Sequence, residues 1–186
     1  MTTADALDRG RESFGRRAWA EAHAQLVAAD QQAPLQPEDL ERLAVAADLV
    51  GRNDDCADAL TRAHHEFLRL GDPARAVQCA FWLGMNLVGR GEMARGGGWF
   101  ARARRILDDS QQDCVEQGYL LVPVALQSLD KGDAATAYDT FGQAAALGDR
   151  FGDRDLMTLG RLGRGQALIQ LERAEEGVAL FDEVMV

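Results

Sequence analysis

One pattern recurs five times along this 186-residue chain, and it fits little besides stacked pairs of helices. Each segment has a small residue in a first helix, a turn about seven residues on, then a second helix. The second helix carries a small residue, a large apolar residue four positions later and an Ala or similar residue three after that. The first segment reads Gly10, Ala22, Leu26 and Ala29, closed by Pro34. The second reads Ala44, the turn at Gly51, then Cys56, Leu60 and Ala63. The third reads Gly84, Gly91, Gly96, Phe100 and Ala103, and the fourth Ala125, Gly132, Ala137, Phe141 and Ala144. The fifth reads Gly165, Gly177, Phe181 and Val184. Antiparallel helices approach closely only where side chains are small, so the small residues of each pair should face one another and the large one should fill the gap beyond them. A glycine in the turn can take the left-handed conformation that ends a helix. One such pair cannot bury its apolar face alone, so pairs must stack.

Composition agrees with helix. Apolar residues make up 47% of the chain and are mostly Ala and Leu, and only 4 prolines interrupt it. Helices are expected near 3–16, 18–31, 37–50, 54–70, 73–89, 93–108, 113–130, 134–150, 154–171 and 174–186. Pro73 suits a helix start. Pro123 lies inside an expected helix and should kink it or mark a start near residue 122. The run Gly96-Gly97-Gly98 is a soft spot, each Gly costing about 1 kcal/mol against Ala unless close packing offsets it.

The segment Leu83-Gly84, Gly91, Gly96, Phe100, Ala103 and its four counterparts resemble the tetratricopeptide repeat (TPR) family over essentially the whole chain. The resemblance implies an all-α, right-handed superhelical solenoid of about five antiparallel helix pairs, forming one array over residues 1–186. There are departures. Ala6, Leu40, Ala80, Leu121 and Arg161 stand where the family has a first-helix Trp, and Glu172 replaces the turn Gly of the fifth unit. Units are spaced by 34 residues and then by about 40, which implies helices longer than in 34-residue repeats.

Narrower strings point further. Cys79-Ala80-Phe81-Trp82-Leu83-Gly84, Gly91-Glu92, Gly98-Trp99-Phe100-Ala101-Arg102-Ala103, Gly118-Tyr119-Leu120-Leu121 and Gly148-Asp149-Arg150-Phe151-Gly152-Asp153 are similar to repeat regions of large actinobacterial LuxR-type regulators. There a long repeat region precedes a DNA-binding helix-turn-helix, which implies a protein-interaction or effector-sensing role in transcription regulation. The apolar ending Phe181, Val184, Val186 lacks a polar cap. A fragment of a longer protein is expected, or else a chain that pairs end to end.

In the TPR family the first helices line a concave groove. Carried over unit by unit, that implies Leu7, Arg11 and Phe14; Glu38, Glu41, Val45 and Asp48; Gln78, Phe81, Met85 and Val88; Tyr119, Val122, Leu126 and Leu129; Leu159, Leu162, Gln166 and Ile169. Of these, Gln78, Phe81, Met85, Tyr119, Val122, Leu126 and Gln166 are the first choices for contact with a protein or peptide partner or a small-molecule effector. The alternative is that they are ordinary core. The family's carboxylate-reading mode needs Lys and Asn, absent from these positions.

Other chemistries find little support. A formal charge of −10 suits phosphate binding poorly, so direct nucleic-acid contact is not expected, and Arg102, Arg104 and Arg105 read as a solvated face. His64 and His65 are adjacent and point about 100° apart on a helix, and His23 is distant, so no metal site is expected. Gly160, Gly163 and Gly165 lack the preceding strand of a phosphate loop. Asp54-Asp55 fits a helix start, and no serine has a nucleophile setting. No enzyme activity and no cofactor are expected. Trp19, Trp82 and Trp99 sit beside small residues and are expected to pack between units. Cys56, Cys79 and Cys114 form no CxxC pair, and no signal peptide or run of about 18 apolar residues is seen, so a reducing cytoplasm with no membrane contact is expected. A stand-alone TPR scaffold or self-associating adaptor, or a small-molecule-binding solenoid around Phe81, Met85 and Tyr119, are the competing readings.

Overall fold

The computed structural model describes residues 3–185, with side chains from residue 5 to residue 184. Among the described residues every regular element is helical: α1 (Thr3–Gly15), α2 (Trp19–Asp30), α3 (Pro37–Leu49), α4 (Asn53–Arg69), α5 (Pro73–Gly89), α6 (Met93–Ser110), α7 (Glu116–Tyr119), α8 (Leu121–Asp130), α9 (Ala134–Phe151), α10 (Arg154–Gln170) and α11 (Ala174–Met185). The expected end of the last helix at Val186, with the apolar ending it belongs to, lies partly outside the described residues. No described helix is long and apolar enough to cross a membrane.

The turns follow one local rule. Gly51, Gly71, Gly91, Gly132 and Gly152 all have φ between 71° and 81°. The amide after each donates back to a carbonyl five residues earlier, as from Asp72 to Phe67 and from Asp133 to Ser128, which satisfies carbonyls the helix end leaves open. Three of these glycines precede Asp, and that Asp starts the next helix: Asp72, Asp133 and Asp153 accept from the amides of Arg75, Thr136 and Leu156. Glu172 takes φ 62° at the place where the sequence lacks the turn Gly, and Arg17 and Gln111 are also left-handed. Pro73 occupies the first turn of α5.

The expected helix over 113–130 is broken. Gln111 turns the chain out of α6, and α7 is a single turn. Leu120 separates it from α8, three residues ahead of Pro123. Proline has no N–H for the carbonyl of residue 119, so one helical ladder cannot run through.

Backbone contacts divide the chain into two compact units, residues 1–106 and 107–186, with the boundary inside α6. In the first unit the core runs from Ala6 and Leu26 through Leu40, Leu43 and Leu60 to Phe67, Leu83 and Leu87. Gly84 of α5 lies against the Phe100 ring, where an added Cβ would fall 2.4 Å from it, and Gly96 of α6 lies 2.8 Å by the same measure from the Gly84 carbonyl oxygen. Gly10 is covered by Leu26, and Ala22 and Ala44, the small residues of the first two segments, are buried. His64 is buried, with Nδ1 2.7 Å from the Ala76 carbonyl oxygen and its ring edge-on to Trp99.

Successive repeats of this unit are also braced by charge. Arg11 of α1 grips the buried Asp39 of α3 with Nε–Oδ1 2.9 Å and Nη2–Oδ2 2.6 Å, and Arg42 adds a third bond. Burial opposes charge on Asp39, but the two guanidiniums outweigh it and hold its carboxyl below the ordinary value. Arg62 of α4 pairs bidentately with Asp30 of α2, and His23 meets Asp55 at 2.9 Å.

In the second unit, Gly165 of α10 faces Gly177 and the Phe181 ring of α11. Gly160 and Gly163 of the same helix face α9. A Cβ on Gly160 would lie 2.8 Å from the Phe141 carbonyl oxygen, and one on Gly163 2.3 Å from the Phe141 ring. The three glycines that superficially suggest a phosphate loop are close-packing positions within one helix. Ala125 and Ala137 are fully buried in this unit.

Candidate functional site

A groove of about 710 Å³ opens in the first unit between α3 and α5, with the start of α4 behind it. Its position follows from the repeat. The first helices of consecutive pairs lie side by side, and α3 presents Glu41, Val45 and Asp48 at successive turns. From α5 come Gln78, Trp82, Met85 and Asn86. Ala44, Cys56, Leu60 and Cys79 line it as well, with Leu49, Asn53, Gly89 and Arg90. The lining is mostly apolar. Val45, Leu49 and Trp82 are 44%, 56% and 38% exposed, more apolar surface than three isolated side chains need to show.

Polar side chains bridge the two walls. Arg75 of α5 reaches Glu38 at 3.2 Å and also pairs with Glu41, its guanidinium lying 4.2 Å from the Phe67 ring centroid. Burial raises the Glu41 carboxyl above its ordinary value despite that guanidinium. Asn86 donates from Nδ2 to Asp48 Oδ1 at 3.1 Å. Arg90 pairs with Asp54 at 2.9 Å and Glu92 at 3.3 Å. Cys79 donates to Glu41 at 3.5 Å. Burial pushes the Cys56 thiol up to about 12 and Cys79 further, so both are packing groups rather than nucleophiles. Cys56, Cys79 and Cys114 are all free. Among the described residues no three His, Cys, Asp or Glu side chains gather closely enough to hold a metal ion.

The family-derived groove positions divide under this geometry. Gln78 and Met85 line the groove, together with Glu41, Val45 and Asp48. Phe81 does not. It is fully buried, packed at 5.0 Å on Trp82 and 6.3 Å on Phe100, because the position one residue before Trp82 turns about 100° inward. In the second unit Tyr119 and Val122 are also buried, and the Tyr119 hydroxyl donates to Asp153 at 3.0 Å. A pocket built around Phe81 and Tyr119 therefore has neither ring on a surface. Leu126 is half-buried and Gln166 exposed. Trp82 is 38% exposed at the groove and lies edge-on to Phe81, the residue before it; Trp99 packs on His64 of the preceding helix pair, and Trp19 on Phe14 of its own pair at 5.3 Å. Small neighbours in sequence do not tell which side of α5 Trp82 takes, and Asn86 falls outside the family-implied positions 78, 81, 85 and 88 although it lines the groove.

No protein-family profile matches the sequence, and no curated protein matches it. Solved structures do. The Rap conjugation gene regulator of the plasmid pLS20, in complex with the Phr* peptide, aligns with 97% of this chain at 16% identity and a TM-score of 0.73. A Rap protein complexed with competence and sporulation factor aligns with 97% at 14% identity and a TM-score of 0.72. The chain spans about half the length of these two, 51% and 52%. The nearly identical TPR-like repeats of a Podosopora anserina kinesin light chain align over 98% of this chain and 92% of their own at 11% identity, with a TM-score of 0.57. At these identities the likeness shows the fold: this is a TPR-like helical repeat chain.

Proposed function

We propose that the chain is a non-catalytic interaction module that binds a peptide segment of a partner in the groove between α3 and α5. The observation that carries this reading is the open, mostly apolar groove itself, with an exposed indole on one wall and carboxylates on the other. A volume of about 710 Å³ lies in the range of binding clefts, roughly 300–1,000 Å³, and a partner that covers Val45, Leu49 and Trp82 gains about 25 cal/mol per Å² of apolar surface removed from water. Two of the similar structures are complexes, one with the Phr* peptide and one with competence and sporulation factor, which supports the same use of the fold here. The free thiols suit a reducing compartment, and we assign the chain to the cytoplasm.

The likeness of the strings around Phe81-Trp82 and Gly148–Asp153 to LuxR-type regulators supports a finer reading, in which the module senses an effector for a bacterial transcription regulator. Reading the gene beyond the codon for Val186 tests it: a continuing frame with a basic helix-turn-helix supports the regulator, and a stop codon removes it. The groove is tested with a photo-crosslinking residue placed at Val45 and, as a control, at the exposed Asp139. A partner crosslinked in cells through position 45 and not through position 139 supports the groove. Equal crosslinking at both positions, or none at position 45, overturns it.

A further inference from the structure

We propose that the groove selects a partner peptide by a basic side chain, Arg or Lys, which Asp48 and Asn86 receive beside the Trp82 ring. This rests on the peptide reading above and goes beyond it to the chemistry of the partner.

The charges of the groove do not cancel evenly. Arg75 is held by Glu38 and Glu41, and Arg90 by Asp54 and Glu92. Asp48 is exposed, lines the groove, and has no cation within ion-pair distance among the described residues; its one described hydrogen bond is from Asn86. That bond orients the amide. With Nδ2 committed to Asp48, the neighbouring Oδ1 is left as an acceptor, and it is buried without a donor. Asp48 thus offers a charged acceptor at the groove, with the orphaned amide oxygen of Asn86 buried next to it. Trp82 sits one helical turn before Asn86 on α5, and such an aromatic face attracts a cation laid over it.

The argument also runs from desolvation. Any peptide seated across Val45, Leu49 and Trp82 takes water from Asp48. An uncharged occupant would leave that carboxylate buried and unpaired, which is penalised. A guanidinium or ammonium replaces the lost water, and its remaining N–H groups can reach Asn86 Oδ1 after a small rotation of the amide. The stem of Arg or Lys is itself apolar and suits the walls on either side. The formal charge of −10 adds attraction for a cationic segment at long range.

The test is a selection from a random octapeptide display library against the whole chain, repeated with Asp48→Asn and Asp48→Lys. The wild-type chain should enrich peptides with Arg or Lys next to Leu, Met or an aromatic residue. The same peptides, synthesised, should bind Asp48→Asn about tenfold more weakly, and raised salt should weaken the wild-type complex. Asp48→Lys should enrich Asp and Glu instead. Both changes are at an exposed side chain, and circular dichroism reports whether the helices persist. Peptides weakened by Trp82→Ala but with no basic enrichment overturn the cation and leave the peptide groove standing. Peptides indifferent to Trp82→Ala, or no enrichment at all, overturn both. Competition by N-acetylarginine amide as strong as that by the selected peptide would assign the groove to a small ligand and overturn the docking of a peptide.

Discussion

Leu60 of α4 and Trp82 of α5 line the groove of the first unit, and in the other unit the two equivalent positions pack directly on each other. Counting 81 residues on, Leu60 becomes Phe141 and Trp82 becomes Gly163, just as Gly84, Gly96 and Phe100 become Gly165, Gly177 and Phe181. In the second unit the Phe141 ring of α9 lies where a side chain on Gly163 would have to go. In the first unit the residue on the second helix is the smaller Leu60, and the first helix carries a Trp that stands 38% exposed at the groove. One repeat register therefore supports two solutions. The closed one seats an aromatic ring of the second helix over a glycine of the first, and the open one has Arg75–Glu41 and Asn86–Asp48 bridging the helices beside the groove.

The strongest way to break the comparison is to put side chains on the close-packed face. Gly160→Ala and Gly163→Ala should each destabilise the second unit by about 2–3 kcal/mol, since one meets backbone and the other an aromatic ring. Chemical denaturation measures it, and the loss should exceed that of Gly142→Ala, where a Cβ meets nothing nearer than 3.9 Å. Removing a bridge from the other unit should cost less. Arg75→Met leaves the half-buried Glu41 without its guanidinium, and about 1 kcal/mol is expected after allowing for partial solvent exposure. Leu60→Phe should import the closed solution, filling the groove and weakening peptide binding while helicity by circular dichroism stays unchanged.

Acid should also distinguish the units. Burial lowers the His64 pKa below its ordinary 6.5, opposed by the bond to the Ala76 carbonyl. The unfolded chain then takes up the proton first. Stability is complete above about pH 6.5 and is lost as pH falls from there toward the folded pKa. The denaturation midpoint should fall between pH 7 and pH 5, and His64→Gln should remove that slope. The smallest effects are gains at glycine-sensitive positions. Glu172→Gly relieves a left-handed Glu and should add about 1 kcal/mol. Gly97→Ala and Gly98→Ala, which meet nothing within 4 Å, should each add somewhat less than about 1 kcal/mol, whereas Gly96→Ala should destabilise against Val88 and the Gly84 carbonyl. Thermal melts of the three single variants check the contrast.

The sequence by itself determined the helix pairs, their turns and the small residues at their crossings. These are local matters: a left-handed turn asks for Gly51 or Gly132 wherever it falls, and a crossing asks for Gly84 or Gly165 whatever surrounds it. Gln78, Met85, Val45 and Asp48, which the family resemblance implies as groove positions, lie along the groove between α3 and α5. The tertiary structure decided the rest. Phe81 and Trp82 are adjacent aromatics on one helix, and it is the packing of α5, with Phe100 against Phe81, that turns the first inward and leaves the second at the groove. The pairing of Asn86 with Asp48 and of Arg75 with Glu41 joins residues more than 30 positions apart. No local periodicity encodes such a pairing, because it depends on how far apart two helices come to rest.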